Sequence, residues 1–196
     1  NLEIQRFINQ FAENHAPKTT KNVFALLTSS LREIEPDMAI TAKLPQKRKS
    51  SIVIPTEEEI KALLKSVSKN KELYIAVLLA TSLGLRRGEI CALEWADLTD
   101  NTLSITKSMA MTSDNTWVIK TPKTESGTRV LPLPVWLKKE ILSIKKDSGQ
   151  NDRIIHMTPN SLTDAFIDAR SAVGCSFRFH DLRHYNASVM LALGVP

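Results

Sequence analysis

Two arginines, a lysine and a histidine stand in this chain where each could handle one phosphate group. Arg86 lies in Gly84-Leu85-Arg86-Arg87-Gly88-Glu89-Ile90, a tight turn between two predicted helices. A guanidinium stays charged at any working pH and can fork onto two oxygens. Glu89, three residues on, can hold that guanidinium in one orientation. Taken alone, an arginine and a glutamate at this spacing form an ordinary surface ion pair of little energetic weight. Lys123 lies in Pro122-Lys123-Thr124-Glu125-Ser126-Gly127-Thr128-Arg129, a hairpin-like segment between two β-rich runs. His180 and Arg183 are three apart, on one face of a predicted helix, and His184 follows near that face. A histidine there can give or take a proton near neutral pH. His180 and His184 alone have the spacing of a metal pair. Asp181-Leu182-Arg183 supplies no zincin-type glutamate between them, however, and an arginine would repel a dication. No metal and no cofactor is expected.

These residues need elements to place them. Apolar residues at helical spacing predict a helix over 2–14, broken at Pro17, and a second one capped by Thr19 or Thr20. Prolines 36, 45 and 55 punctuate a basic stretch with Lys43, Lys47, Arg48 and Lys49, which reads as a linker. Its bland role is a solvated tether; its functional role is a strap along a phosphate backbone. Thr56-Glu57-Glu58-Glu59 is a capping box that opens a new domain. A more buried helix, 73–83, is ended by Gly84, and a short helix over 87–93 follows. Three β-rich runs, 102–106, 116–120 and 129–133, predict a small antiparallel sheet. Helices are then expected over 135–146, 159–173 and about 180–193.

The chain has 196 residues, 42% of them apolar, and a net charge of +5. That is enough apolar material for a real core, and it argues against wholesale disorder. The basic balance suits a polyanionic partner without proving one. Two scattered cysteines, Cys91 and Cys175, indicate neither zinc nor a disulfide framework. No apolar run approaches the roughly 18 residues of a membrane span, so no membrane partner is expected. Neither end looks like a natural terminus, so a longer parent protein is expected.

Three motifs in this order resemble the tyrosine recombinases, the family of phage and transposon integrases. Gly84-Leu85-Arg86 with Gly88-Glu89-Ile90, then Leu93-Glu94-Trp95 and Asp97-Leu98, is similar to that family's first arginine box. Thr121-Pro122-Lys123-Thr124 with Arg129-Val130-Leu131-Pro132-Leu133 is similar to its lysine hairpin. Phe179-His180-Asp181-Leu182-Arg183-His184 with Ala187-Ser188 is similar to its second arginine box.

The resemblance implies an α+β, mostly helical fold: a catalytic domain over 56–196, a basic linker over 38–55, and over 1–37 the last helices of a core-binding domain. It implies cutting and rejoining of double-stranded DNA through a 3′-phosphotyrosyl bond, by a protein that assembles as a tetramer on DNA. A cytoplasmic protein of a bacterium or phage is expected. Arg86 and Arg183 would clamp the non-bridging oxygens, Lys123 would protonate the leaving 5′-oxygen, and His180 would assist proton transfer. Glu89 and His184 would support them. Lys43, Lys47, Arg48, Lys49, Thr121 and Arg129 are the expected DNA contacts. The nucleophile is not expected in this chain. Its tyrosines are Tyr74, in a buried helix, and Tyr185, off the His180/Arg183 face. The alternative is a DNA-binding protein of the same fold that never cuts.

Overall fold

The computed structural model describes residues 1–46, 53–121, 127–146 and 149–195. It divides into two units, Asn1–Ser51 and Ile52–Pro196.

The first unit holds α1 (Leu2–Asn14) and α2 (Pro17–Ile34). Pro17 begins α2 rather than merely ending α1, because the first position of a helix needs no amide N–H. Thr20 is therefore not a cap; it is fully buried and donates to the Ala16 carbonyl at 3.3 Å. After α2 the chain runs back along α1. Asn1 bonds the Ala39 carbonyl and the Thr41 amide, each at 3.0 Å, and Gln5 takes the Lys43 amide at 2.6 Å. Leu26 and Ile34 remain 69% and 83% exposed, so two helices leave much of their apolar surface uncovered.

The second unit opens at Thr56. Its hydroxyl accepts from the Glu59 amide, while the Glu59 carboxylate accepts from the Thr56 amide. The reciprocal cap starts α3 (Glu57–Val67). Then come α4 (Lys71–Leu83), α5 (Arg87–Ala92), a 3₁₀ turn at Trp95–Asp97, and β1 (Thr102–Ile105), β2 (Ser108–Met111), β3 (Trp117–Lys120) and β4 (Arg129–Pro132). The chain returns to helix in α6 (Val135–Leu142), α7 (Pro159–Ala172) and α8 (Asp181–Ala192). The fold is α+β and mostly helical.

Helix α4 is the axis of the core. Ile75, Ala76, Val77, Leu79 and Ala80 are wholly buried, which explains why its apolar residues run all round rather than along one stripe. Leu63, Ile90, Leu103, Leu137, Leu162 and Phe166 pack into the same cluster. Phe166 meets Phe179 edge-on at 5.2 Å and Phe177 at 6.0 Å, which seats the segment leading into α8.

The strands form two separate antiparallel ladders, β1 with β4 and β2 with β3. The expected single sheet of three runs is thus corrected, and β2 is the strand the pattern did not reveal. Ser108-Met109-Ala110-Met111 has no β-branched residue, so its propensity is weak. Tertiary contact holds it instead. Met109 faces inward, and a Cβ on Gly88 would lie 2.6 Å from the Met109 carbonyl. Only glycine at 88 lets α5 approach this strand so closely. Helix α6 stops at Leu142, short of the predicted 146. Ser143 closes it by turning its hydroxyl onto the Glu140 carbonyl.

Candidate active site

Arg86 is the residue just before α5, and the cap of that helix fixes it. Its backbone amide donates to Glu89 Oε2 at 2.9 Å, and its Nη1 donates to Glu89 Oε1 at 2.8 Å. The guanidinium is held at one edge and half exposed at 54%, so it can meet a ligand. A second arginine shares the same carboxylate. Arg129, the first residue of β4, donates from Nη1 to Oε1 at 3.0 Å and from Nη2 to Oε2 at 2.7 Å. The Glu89 side chain is only 5% exposed. Burial pushes its carboxyl upward, but the Arg129 bonds, the Arg86 amide and the Arg86 guanidinium outweigh this and hold it at about 2. Glu89 is therefore a fixed negative charge at any ordinary pH.

Arg183 comes from α8. Its Nη1 donates to the Gly84 carbonyl, in the turn that carries Arg86. Gly84 has φ +63° and ends α4 in the left-handed conformation, and a Cβ there would lie 2.7 Å from Asn186 Oδ1. The Asn186 amide donates to the last free carbonyls of α4, those of Thr81 and Ser82, each at 3.0 Å. One turn of α8 thus seals the end of α4. The pKa of Arg183 is lowered by burial first, then by the neighbouring charge of Arg86 and Arg129, with Glu89 acting the other way. Arg86, Glu89, Arg129 and Arg183 share one electrostatic neighbourhood, although Gly84 and Arg183 are 99 residues apart.

His180 stands at the head of α8, its ring perpendicular to that of His184 at 4.9 Å. Burial, then His184 and Arg183, push its pKa below the ordinary imidazole value, so it is neutral at neutral pH. The next residue, Asp181, is buried and takes the Arg178 amide at 2.7 Å and the Arg178 guanidinium at 2.9 Å. That clasp fixes where α8 begins. A cavity of about 330 Å³ adjoins His180, between Leu85, Arg87, Thr163, Arg178 and Phe179.

Lys123 lies outside the described residues, as do Lys47, Arg48 and Lys49. Thr121 and Lys43 are exposed. Arg129 is 23% exposed, with its guanidinium turned onto Glu89. Sequence reasoning missed that pairing, and it missed Asn186; neither leaves a local pattern. Both tyrosines are partly buried and pack on the core. Cys91 is no nucleophile, because burial pushes its thiol up to about 12. Among the described residues no three His, Cys, Asp or Glu side chains gather as metal ligands. No helix among them is long and apolar enough to cross a membrane.

Residues 54–196 match the model of the phage integrase family. The integrase of Salmonella phage P22 is 29% identical over 179 residues, covering 88% of this chain and 46% of that protein. The chain thus spans about half the length of that curated relative. Two solved structures share the fold. The Tn1549 transposon integrase, in complex with transposon right end DNA, superposes with a TM-score of 0.78 at 18% identity, over 98% of this chain and 73% of that one. The lambda integrase bound to DNA gives 0.68 at 19% identity, over 97% and 71%. With the family's model covering nearly the whole second unit, the chain belongs to the phage integrase family.

Proposed function

We propose that the whole protein is a site-specific recombinase that cuts and rejoins double-stranded DNA through a 3′-phosphotyrosyl intermediate. The observation that carries this is the gathering of Arg86 and Arg183 around one turn, with Glu89 holding the first. Two guanidiniums so fixed would take the non-bridging oxygens of one phosphodiester and hold them as charge develops. A tyrosine oxygen bonds to phosphorus, the bond to the 5′-oxygen breaks, and Lys123 gives that oxygen its proton. Neutral His180 takes or relays the proton of the attacking hydroxyl. We assign neither Tyr74 nor Tyr185 as the nucleophile, since both are partly buried and pack against the core. The attacking tyrosine is then sought in the remainder of the whole protein. Residues 1–37 are proposed to end a core-binding domain, and 38–55 to link it to the catalytic domain. Lambda integrase has been seen as a dimer on a core site and as a tetramer on a Holliday junction. Self-association on DNA is proposed here as well.

Two experiments test this. On a nicked suicide duplex, the whole protein is expected to form a covalent protein–DNA adduct that persists in a chelator, because cations of the chain neutralise the phosphate. This chain alone is expected to form none. An adduct from this chain that Tyr185→Phe removes would overturn the assignment of the nucleophile. Magnesium-dependent cleavage without an adduct would make the protein a nuclease instead. The second experiment is binding of this chain to duplex DNA across a salt series. Log affinity is expected to fall linearly with log salt, since backbone contacts dominate. Binding indifferent to salt would count against a backbone-led interface.

A further inference from the structure

We infer that Arg129 is a positioning residue of the phosphate site, acting through Glu89 on Arg86. The inference rests on the proposed phosphate chemistry for its consequence, but not for its geometry. Each Glu89 oxygen receives one bond from each arginine. Oε1 takes Arg86 Nη1 and Arg129 Nη1; Oε2 takes the Arg86 amide and Arg129 Nη2. A carboxylate has about four acceptor sites, so this one is saturated and cannot rotate without losing bonds on both sides. Arg129 is the less exposed partner, at 23% against 54% for Arg86. It is the anchor, and Arg86 is the group left facing outward.

The pairing also ties two chain segments. Arg129 opens β4, where it pairs in register with Ile105, and it follows directly on the stretch of sequence that contains Lys123. The ion pair joins that end of β4 to the first turn of α5. Arg129 was expected as a DNA contact; in the structure its fork is turned onto Glu89. A lysine could supply the charge at this position but not the two parallel bonds.

The test uses Arg129→Gln, Arg129→Lys, Glu89→Gln and the Arg129→Gln/Glu89→Gln double variant, each checked for folding by thermal melting. In this chain, the Glu89 carboxyl carbon is titrated by NMR, and the order of the Arg86 guanidinium is measured by ¹⁵N relaxation. Arg129→Gln is expected to raise the Glu89 midpoint by about one unit or more and to loosen Arg86. In the whole protein, the rate of adduct formation at saturating nicked duplex is expected to fall roughly 10- to 100-fold, as for a misplaced catalytic group. The double variant is expected to be no slower than the worse single one. Arg129→Lys is expected to recover the titration more fully than the rate. If Arg129→Gln is too unstable to measure, the lysine variant alone decides, by that split. An unmoved Glu89 midpoint with an unchanged Arg86 overturns the inference. So do additive rate losses accompanied by a weaker salt slope of binding, which would mark a DNA contact. If the wild-type whole protein forms no adduct, the proposed function falls, and the titration and the Arg86 order still decide the positioning claim.

Discussion

Arg183→Ala in the whole protein is expected to slow formation of the covalent intermediate by about three orders of magnitude. The loss has two sources. The guanidinium that would meet developing charge on phosphate is gone. The bond from Nη1 to the Gly84 carbonyl is gone too, so the turn that presents Arg86 is less firmly held. Only the first source is chemical, and Arg183→Lys separates them. A lysine keeps the positive charge but cannot both brace the turn and fork onto oxygen, so an intermediate rate is expected. Single-turnover adduct formation at saturating DNA is the measurement. An alanine variant within tenfold of wild type would remove Arg183 from the reaction.

Glu89→Gln is expected to cost this chain about 3–5 kcal/mol of stability at neutral pH, because two arginines lose the carboxylate they share in a covered site. Against a typical total of roughly 5–15 kcal/mol, that is a large share. The pH dependence identifies the cause. The Glu89 carboxyl titrates at about 2 in the folded chain, against an ordinary 4.5. A depressed folded value means that the unfolded chain binds the proton more readily. The stabilisation is therefore fully present above about 4.5 and is lost as the pH falls toward 2. Its size is on the order of 3 kcal/mol. Urea unfolding of both proteins from pH 7 downward is expected to show the gap between them closing across that window. A gap that stays constant with pH would mean the glutamine acts through packing rather than charge.

What the sequence revealed was what its local chemistry encodes. The cap at Thr56, the glycine stop at Gly84 and the long apolar run of α4 each follow from residues within a few positions of one another, and each stands in the structure. The bond between Arg86 and Glu89 was readable for the same reason. The bond between Arg129 and Glu89 was not, because 40 residues separate them and no periodicity links a strand's first residue to a helix's first turn. Strand β2 was hidden for a related reason: its residues have little intrinsic preference for extended backbone, and Gly88 opposite supplies the room. Arg183 lies against the turn that carries Arg86, and the two were expected in one site from the resemblance of their motifs to a family, not from any local periodicity. Asn186, which bonds the end of α4 beside it, gave no signal, since an amide in a helix reads as a surface residue until the carbonyls it covers are known.

The seal that α8 places on the end of α4 has a consequence for the newborn chain. Arg86 leaves the ribosome long before its partner exists. At roughly 5–20 residues per second, the 99 residues between Gly84 and Arg183 take on the order of ten seconds to make. Throughout that interval the carbonyls of Thr81, Ser82 and Gly84 have no Asn186 or Arg183 to receive, and the first arginine faces solvent without the second. The end of α4 and the turn that carries Arg86 therefore stay unbraced until α8 docks, and a product that stops before Asp181 lacks both Asn186 and Arg183.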